Sequence, residues 1–415
     1  MELKNQGNIL FISYDGMTDP LGQSQVIPYL AGLTKYGYRF TILSCDKPSR
    51  FKEKEKYVRS ILDRYSIKWK SIPYHKNPPV LSSIYDLRNI KRVAARLHRK
   101  DNFDMVHTRP GIPTLAGLWL KKKFGIKFLN DIRGFWADER VDGGMWDLKN
   151  PVFKTVYSYF KKHEYACLEK ADRSTCLTHQ ARNEILKWDN IKSQPLDISV
   201  IPCSADLELF NRNTINQDEK ERLAKEMNIQ ENDFIISYLG SIGGWYLTKE
   251  MMRFCSLLAS NIPNAKFLFI SPHRHEVIKE AASKYGLDPS KIITRSAARH
   301  EVPLYLSFSD YSIFFIKPCY SKISSSPTKH GEIMAMGIPV ITNGGVGDVK
   351  EIVEKYDAGF IVDDFSDASF MKIVRKLEER TEFNKDLIRK GAEEIYSLEN
   401  AVNTYLDVYR SILNN

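Results

Sequence analysis

Ser324-Ser325-Ser326-Pro327-Thr328-Lys329-His330-Gly331-Glu332 runs directly into Ile333-Met334-Ala335-Met336-Gly337-Ile338-Pro339-Val340-Ile341. Small polar residues followed by Pro and Thr signal a helix start. Gly337-Ile338-Pro339 then ends the helix and hands the chain to a buried strand, Val340–Thr342. A helix start offers unpaired N–H groups and a partial positive charge, which suit a phosphate. Lys329 adds a full charge. Glu332 lies one turn further in, where a carboxylate can accept hydrogen bonds from the vicinal hydroxyls of a ribose or hexose. A phosphate binder and a diol binder on one helix point to a nucleotide-sugar site. Ordinary helix capping in a loop–helix–strand unit is the competing reading of the same residues.

Outward from this unit, short apolar runs alternate with helical stretches, the pattern of parallel sheets wrapped by helices. In the first half the expected strands are Asn8–Ser13, Arg39–Ser44, Phe103–Thr108, Lys127–Asn130 and Arg173–Thr178. Expected helices there include Gln23–Lys35 and Thr114–Phe124. A second series follows: Phe234–Leu239, Lys266–Ile270, Lys291–Thr294, Tyr311–Ile316, Val340–Thr342 and Gly359–Val362. The economical architecture is α/β, with two Rossmann-like doubly wound domains facing across a cleft and ligand near the carboxyl ends of the strands. The expected division is a first domain over 1–203, a linker over 204–222, a second domain over 223–396 and an amphipathic terminal helix over 397–415.

A chain of 415 residues exceeds one compact core, and its apolar content of 43% is that of a globular protein. No apolar run reaches the roughly 18 residues of a spanning helix. Met1–Gly7 is polar and leads straight into a strand, so no secretory signal is expected. Six scattered cysteines without a Cys-x-x-Cys pair argue against a zinc site or disulfide framework and for a reducing cytoplasm. The net charge of +10 comes without a nucleic-acid-binding signature. Basic residues instead interleave with apolar ones in Arg88–Lys100 and Phe153–Lys162, which suits an anionic membrane surface or simply a solvated helix face. The expected location is cytoplasmic, peripheral at the inner face of the plasma membrane.

Three loops could carry chemistry. Asp15–Ser24 follows the first strand, and Gly22 in it permits close backbone approach to a ligand. Its spacing lacks the G-x-G-x-x-G of a dinucleotide site, which disfavours a dehydrogenase. Asp131–Arg140 follows the strand Lys127–Asn130 and places Asp131, Arg133 and Trp136 at a strand's carboxyl end, with internal ion pairing as the alternative use of its charges. His107 and Arg109 end the preceding strand. Tyr238–Tyr246 contains Gly240 and Ser241, small residues that let backbone approach a donor.

The 324–332 segment resembles the donor-site helix of the retaining GT-B glycosyltransferases of family four. Phe314–Pro318, Ser321–Ile323, Asn343–Asp348 and Asp19-Pro20-Leu21-Gly22-Gln23-Ser24-Gln25 are similar to a bacterial surface-polysaccharide branch of that family. The resemblance implies a hexose transfer from a nucleotide diphosphate sugar to a saccharide acceptor, with a lipid-linked saccharide as the expected acceptor, without cofactor or required metal. It implies donor binding by Gly22, Gly240, Ser241, Lys317, Lys322, Ser324, Ser326, Thr328, Lys329 and Glu332. It gives Asp131 and Arg133 the catalytic positions, and Arg109 and Trp136 the acceptor. The departing phosphate would deprotonate the acceptor, with the protein positioning groups and stabilising charge. Two departures from the family pattern stand out: Ser241 replaces a customary arginine, and Ser324 replaces the first of two glutamates. A sugar-nucleotide epimerase of the same fold and a catalytically dead binding subunit are the alternatives.

Overall fold

The computed structural model describes residues 6–272 and 275–414, so Met1–Asn5 of the polar lead lie outside the described residues. The chain divides into two compact units, Met1–Pro202 with Leu398–Asn415, and Cys203–Ser397.

Among the described residues, the first unit holds a seven-stranded sheet: β1 (Gly7–Ser13), β2 (Tyr38–Asp46), β3 (Lys68–Pro73), β4 (Met105–Thr108), β5 (Lys127–Ile132), β6 (Arg173–Cys176) and β7 (Ile198–Val200). The spatial order is β3-β2-β1-β4-β5-β6-β7, with every pairing parallel. Both faces are covered. Ile9 and Phe11 of β1 join a core with Leu30, Leu33 and the terminal helix residues Tyr405, Leu406 and Tyr409. Leu10 and Ile12, of opposite parity, join Ile90, Ala94, Ala116 and Leu120 on the other side.

The second unit repeats the plan with β8 (Phe234–Leu239), β9 (Ala265–Ile270), β10 (Ile292–Arg295), β11 (Tyr311–Ile313), β12 (Val340–Asn343) and β13 (Gly359–Val362). Its order is β10-β9-β8-β11-β12-β13, again parallel throughout. The chain order reverses between β1 and β4 in one sheet and between β8 and β11 in the other. Open parallel sheets bind ligands at the carboxyl ends of strands flanking such a reversal.

Several expectations are corrected in detail. β3 has no counterpart among the expected strands, because Lys-Trp-Lys-Ser-Ile-Pro is an edge strand that buries only Trp69 and Ile72. The run Arg173–Thr178 stops at Cys176, since the Thr178 side chain caps the next helix by accepting from Ala181 N–H. Tyr311–Ile316 stops at Ile313, because the Asn343 side-chain amide takes over both backbone groups of Ile316 at 2.9 Å. The helix expected over Gln23–Lys35 is two helices, Pro20–Gln25 and Ile27–Thr34, broken at Val26 just before Pro28.

Candidate functional site

The second unit's site is built around the helix Thr328–Ala335. Pro327 is its N-cap in extended conformation, and no side chain caps the helix start. The helix ends in a Schellman motif: Gly337 (φ 69°) donates to Met334 O at 2.8 Å and Ile338 to Ile333 O at 3.3 Å. Pro339 prevents continuation and β12 begins. The first turn is buried despite its polarity, with Lys329, His330 and Glu332 each 7% exposed or less.

Lys329 is the notable group. Its ammonium has no hydrogen-bond partner among the described residues. It lies 4.3 Å from the centroid of the Tyr238 ring and 3.7 Å from that of Tyr246. A Cβ on Gly240 would stand 3.2 Å from its nitrogen, and Gly240 adopts φ 109°, so a glycine there satisfies both space and backbone. Burial pushes the amine down to about 7, against the pull of Glu332. Glu332 accepts from Arg299 Nη1 at 2.9 Å. Burial raises its carboxyl above the ordinary value, while Arg299 and Lys329 oppose that. His330 points its Nδ1 at the Tyr396 hydroxyl, 2.9 Å away, and burial pushes its imidazole down to about 3.

The other expected donor residues divide. Lys322 is buried with its nitrogen 3.9 Å from the Trp245 ring centroid, whereas Lys317 is exposed. Ser324 uses its hydroxyl on Ser321 O at 2.6 Å, and Ser326 accepts from Cys203 N–H at 3.1 Å. The N–H groups of residues 325–329 are therefore not a uniform cradle: Ser325 N–H already bonds Lys322 O at 3.1 Å, and Pro327 has none. Thr328 opens the helix half-buried, and Ser241 is exposed, its carbonyl accepting from the Tyr238 hydroxyl. The loop carrying Trp245 and Tyr246 is pinned by Leu247 N–H to Phe315 O and Lys317 N–H to Trp245 O, each 2.9 Å.

In the first unit, Asp131 is 1% exposed at the end of β5. One carboxylate oxygen accepts from Thr175 at 2.8 Å. The other accepts from the Tyr405 hydroxyl at 3.0 Å and lies 3.3 Å from both His107 Nε2 and Arg109 Nη1. Burial acts to raise its carboxyl, but Arg109, Arg133 and His107 together hold it well below the usual carboxylate range. His107 in turn bonds Tyr409 at 2.7 Å. Both oxygens of this enclosed carboxylate are thus engaged by side chains of the fold itself. Arg133 donates to Ile201 O at 3.2 Å and to Gln25 Oε1 at 3.4 Å, and Arg109 also bonds Gln25 O. Trp136 is half-buried under the Arg140 guanidinium, 3.2 Å from its ring centroid, and lines a small cavity with Gly111, Thr114 and Glu164. Gly22 is explained without a ligand: a Cβ there would strike Gly16 O and come within 2.7 Å of Met17 Cα. Asp46 holds that loop, accepting from Thr18 N–H at 3.1 Å and its hydroxyl at 2.8 Å.

Sequence reasoning missed Arg299, Tyr238, Tyr246, Tyr405 and Tyr409. Aromatic residues in strands and amphipathic helices look like core, and nothing local marks Arg299 as the partner of a glutamate 33 positions away.

Residues 22–209 match the family described as Glycosyltransferase Family 4, and residues 219–394 match Glycosyl transferases group 1. No curated protein is a match. Among solved structures, a glycosyltransferase from Rickettsia africae ESF-5 aligns with TM-score 0.73 at 18% identity, over 99% of this chain and 100% of that one. A sucrose-phosphate synthase from Thermosynechococcus elongatus aligns with TM-score 0.71 at 15% identity, over 99% and 100%. The Anabaena protein HepE, solved in complex with UDP and glucose, aligns with TM-score 0.69 at 11% identity, over 98% and 100%. Two glycosyltransferase family models thus match the chain, one in each half, and together they span most of a chain that has the GT-B glycosyltransferase fold.

Proposed function

We propose that this glycosyltransferase moves a hexose from a nucleoside diphosphate sugar to a saccharide acceptor, with retention of configuration. The observation that carries this reading is the buried ammonium of Lys329, without a hydrogen-bond partner among the described residues, one turn from the Glu332 carboxylate. A diphosphate would supply the missing acceptor atoms to the first, and ribose hydroxyls would bond the second. The capture of UDP-glucose by the similar Anabaena protein supports a uridine nucleotide as the first donor to try. Ser326 and Thr328 flank the same helix start, and with Lys322, whose nitrogen lies over the Trp245 ring, they would complete the donor contacts. With no nucleophile required, the leaving phosphate takes the acceptor proton, and the protein's contribution is orientation and charge stabilisation. In the first unit, Asp131 fixes Arg109 and His107 as positioning groups, and Arg109 with Trp136 faces the acceptor.

The acceptor we propose is lipid-linked and met at an anionic membrane surface during surface-polysaccharide synthesis. No helix among the described residues is long and apolar enough to cross a membrane. The helix Leu81–Asp101 presents exposed Leu81, Ile84 and Tyr85 along with exposed Arg88, Arg92 and Arg96. The segment Phe153–Lys162 supports it less: Lys161 is held by Asp138 at 2.9 Å and Glu164 at 2.5 Å, so that lysine is an interior ion-pair member.

The test is nucleoside diphosphate release from candidate donors, with and without saccharide acceptors. Acceptor-dependent release is expected; a free, altered sugar nucleotide without acceptor would assign an epimerase instead. Co-sedimentation with anionic vesicles, reversed by salt, checks the membrane reading.

A further inference from the structure

The donor-site lysine sits in a setting that its phosphate role alone does not require. Lys329 Nζ is walled by two aromatic rings, Tyr238 from the end of β8 and Tyr246 from the loop that follows, at 4.3 and 3.7 Å. Gly240 closes a third side with no side chain of its own. The charged group nearest in influence is Glu332 on its own helix, and that carboxylate is engaged by Arg299 from the segment before the helix Val302–Leu306. His330, the neighbouring titratable group, turns to Tyr396. The walls are rigidly placed: the Tyr238 hydroxyl bonds Ser241 O, and Tyr246 lies between backbone bonds from Leu247 to Phe315 and from Lys317 to Trp245.

Aromatic faces attract a cation, yet they offer it no hydrogen-bond acceptor and they keep water away. A buried ammonium without acceptors pays heavily for its charge, so the neutral amine gains ground in the empty site. A diphosphate arriving opposite the amine reverses this, because it brings anionic acceptors into a dry enclosure where each is worth more than in water.

Resting on the donor-site reading above, we propose that Tyr238 and Tyr246 are positioning residues that keep Lys329 dry and acceptor-free, so that the site takes up one proton together with the nucleoside diphosphate. The proton comes from solvent and ends on Lys329 Nζ; no covalent bond changes. Tight donor binding and the protonation state of the site are thereby linked, and donor affinity falls as pH rises above the free amine's midpoint. With that midpoint at about 7, the fall covers the alkaline side of neutrality. It approaches tenfold per pH unit until the bound form also begins to lose its proton.

Calorimetric titration with UDP at pH 8, in two buffers of different ionisation enthalpy, reads the proton count directly. The terminal phosphate of UDP titrates near pH 6, by analogy with other phosphate esters, and contributes almost nothing at that pH. Uptake close to one proton is expected for the wild type, and none for Lys329→Gln. Tyr246→Ala opens the wall to water, so the amine is already charged before UDP arrives; UDP still binds and uptake is lost. Tyr246→Phe keeps the ring and the uptake. A purely structural role for Tyr246 would alter affinity without altering the proton count. If Tyr246→Ala does not fold, Tyr246→Leu and the Lys329→Gln comparison carry the same test. UDP binding without proton uptake in the wild type, or full uptake retained in Tyr246→Ala, overturns the proposal while leaving the donor site in place. No UDP binding, with none by pyrophosphate, removes the donor-site reading and this inference together.

Discussion

Asp131 and Lys329 are both buried ionisable groups near the carboxyl ends of parallel strands, and their surroundings are opposite. Asp131 is met by a threonine, a tyrosine, a histidine and an arginine, so its charge is matched within the fold. Among the described residues, Lys329 meets two rings and no acceptor. Low dielectric magnifies both situations: it strengthens the satisfied network and penalises the unsatisfied amine. The first is a finished piece of structure, and the second leaves a buried donor without an acceptor among the described residues.

Removing the Asp131 carboxylate should produce the largest effect. Asp131→Ala strands Arg109 and His107 in the interior and should cost about 3–5 kcal/mol, read from the urea midpoint of the first unit. An effect near zero would erase the contrast. The pH dependence has a defined sign: the folded carboxyl titrates below its unfolded value, so its stabilisation is present above about pH 4 and drains away with further acid.

At the other site the same kind of deletion should act in reverse. Lys329→Met should leave stability unchanged or raise it by about 1–3 kcal/mol at pH 7, because it removes an amine without a partner. The folded amine titrates at about 7, well below an unfolded lysine. The unfolded chain therefore holds more protons between about pH 7 and 10, and wild-type stability should rise with pH across that window. Lys329→Met should flatten that rise. The same substitution should weaken UDP binding while sparing free uridine; equal loss of both would mean the loop was disturbed.

Glu332→Ala should weaken donor binding by about 1.5–3 kcal/mol if its carboxylate bonds the ribose in a desolvated site. Titration with UDP, alongside circular dichroism for the fold, decides it. The smallest effect belongs to Arg299→Ala. That guanidinium is 48% exposed, so its pair with Glu332 should contribute under about 1 kcal/mol to stability.

The fold was legible where burial on both sheet faces writes a continuous apolar run, as in Phe234–Leu239. It was illegible at β3, whose alternating lysines face solvent. Lys329 and Glu332 could be singled out because helix-start chemistry is local. The cluster around Asp131 could not be assembled, since His107 and Tyr409 stand 302 positions apart and only folding brings them together. The tyrosine walls were hidden for another reason: a strand tyrosine looks alike whether it fills a core or shields an amine.

The terminal helix Leu398–Leu413 lies in the first unit although the whole of the second precedes it in the chain. Tyr405 and Tyr409 from that helix supply the hydroxyls around Asp131 and His107. During synthesis, the first unit must therefore wait for roughly 200 intervening residues, on the order of 10–40 s at ordinary ribosome speeds, before its sheet is fully covered. Through that interval Phe40, Ile9 and Leu30 lack part of their cover, and the Asp131 carboxylate lacks a donor. The second unit, continuous in sequence, has no such delay. A nascent chain halted before Leu398 should therefore carry a finished second unit and a first unit still open to chaperones and proteases.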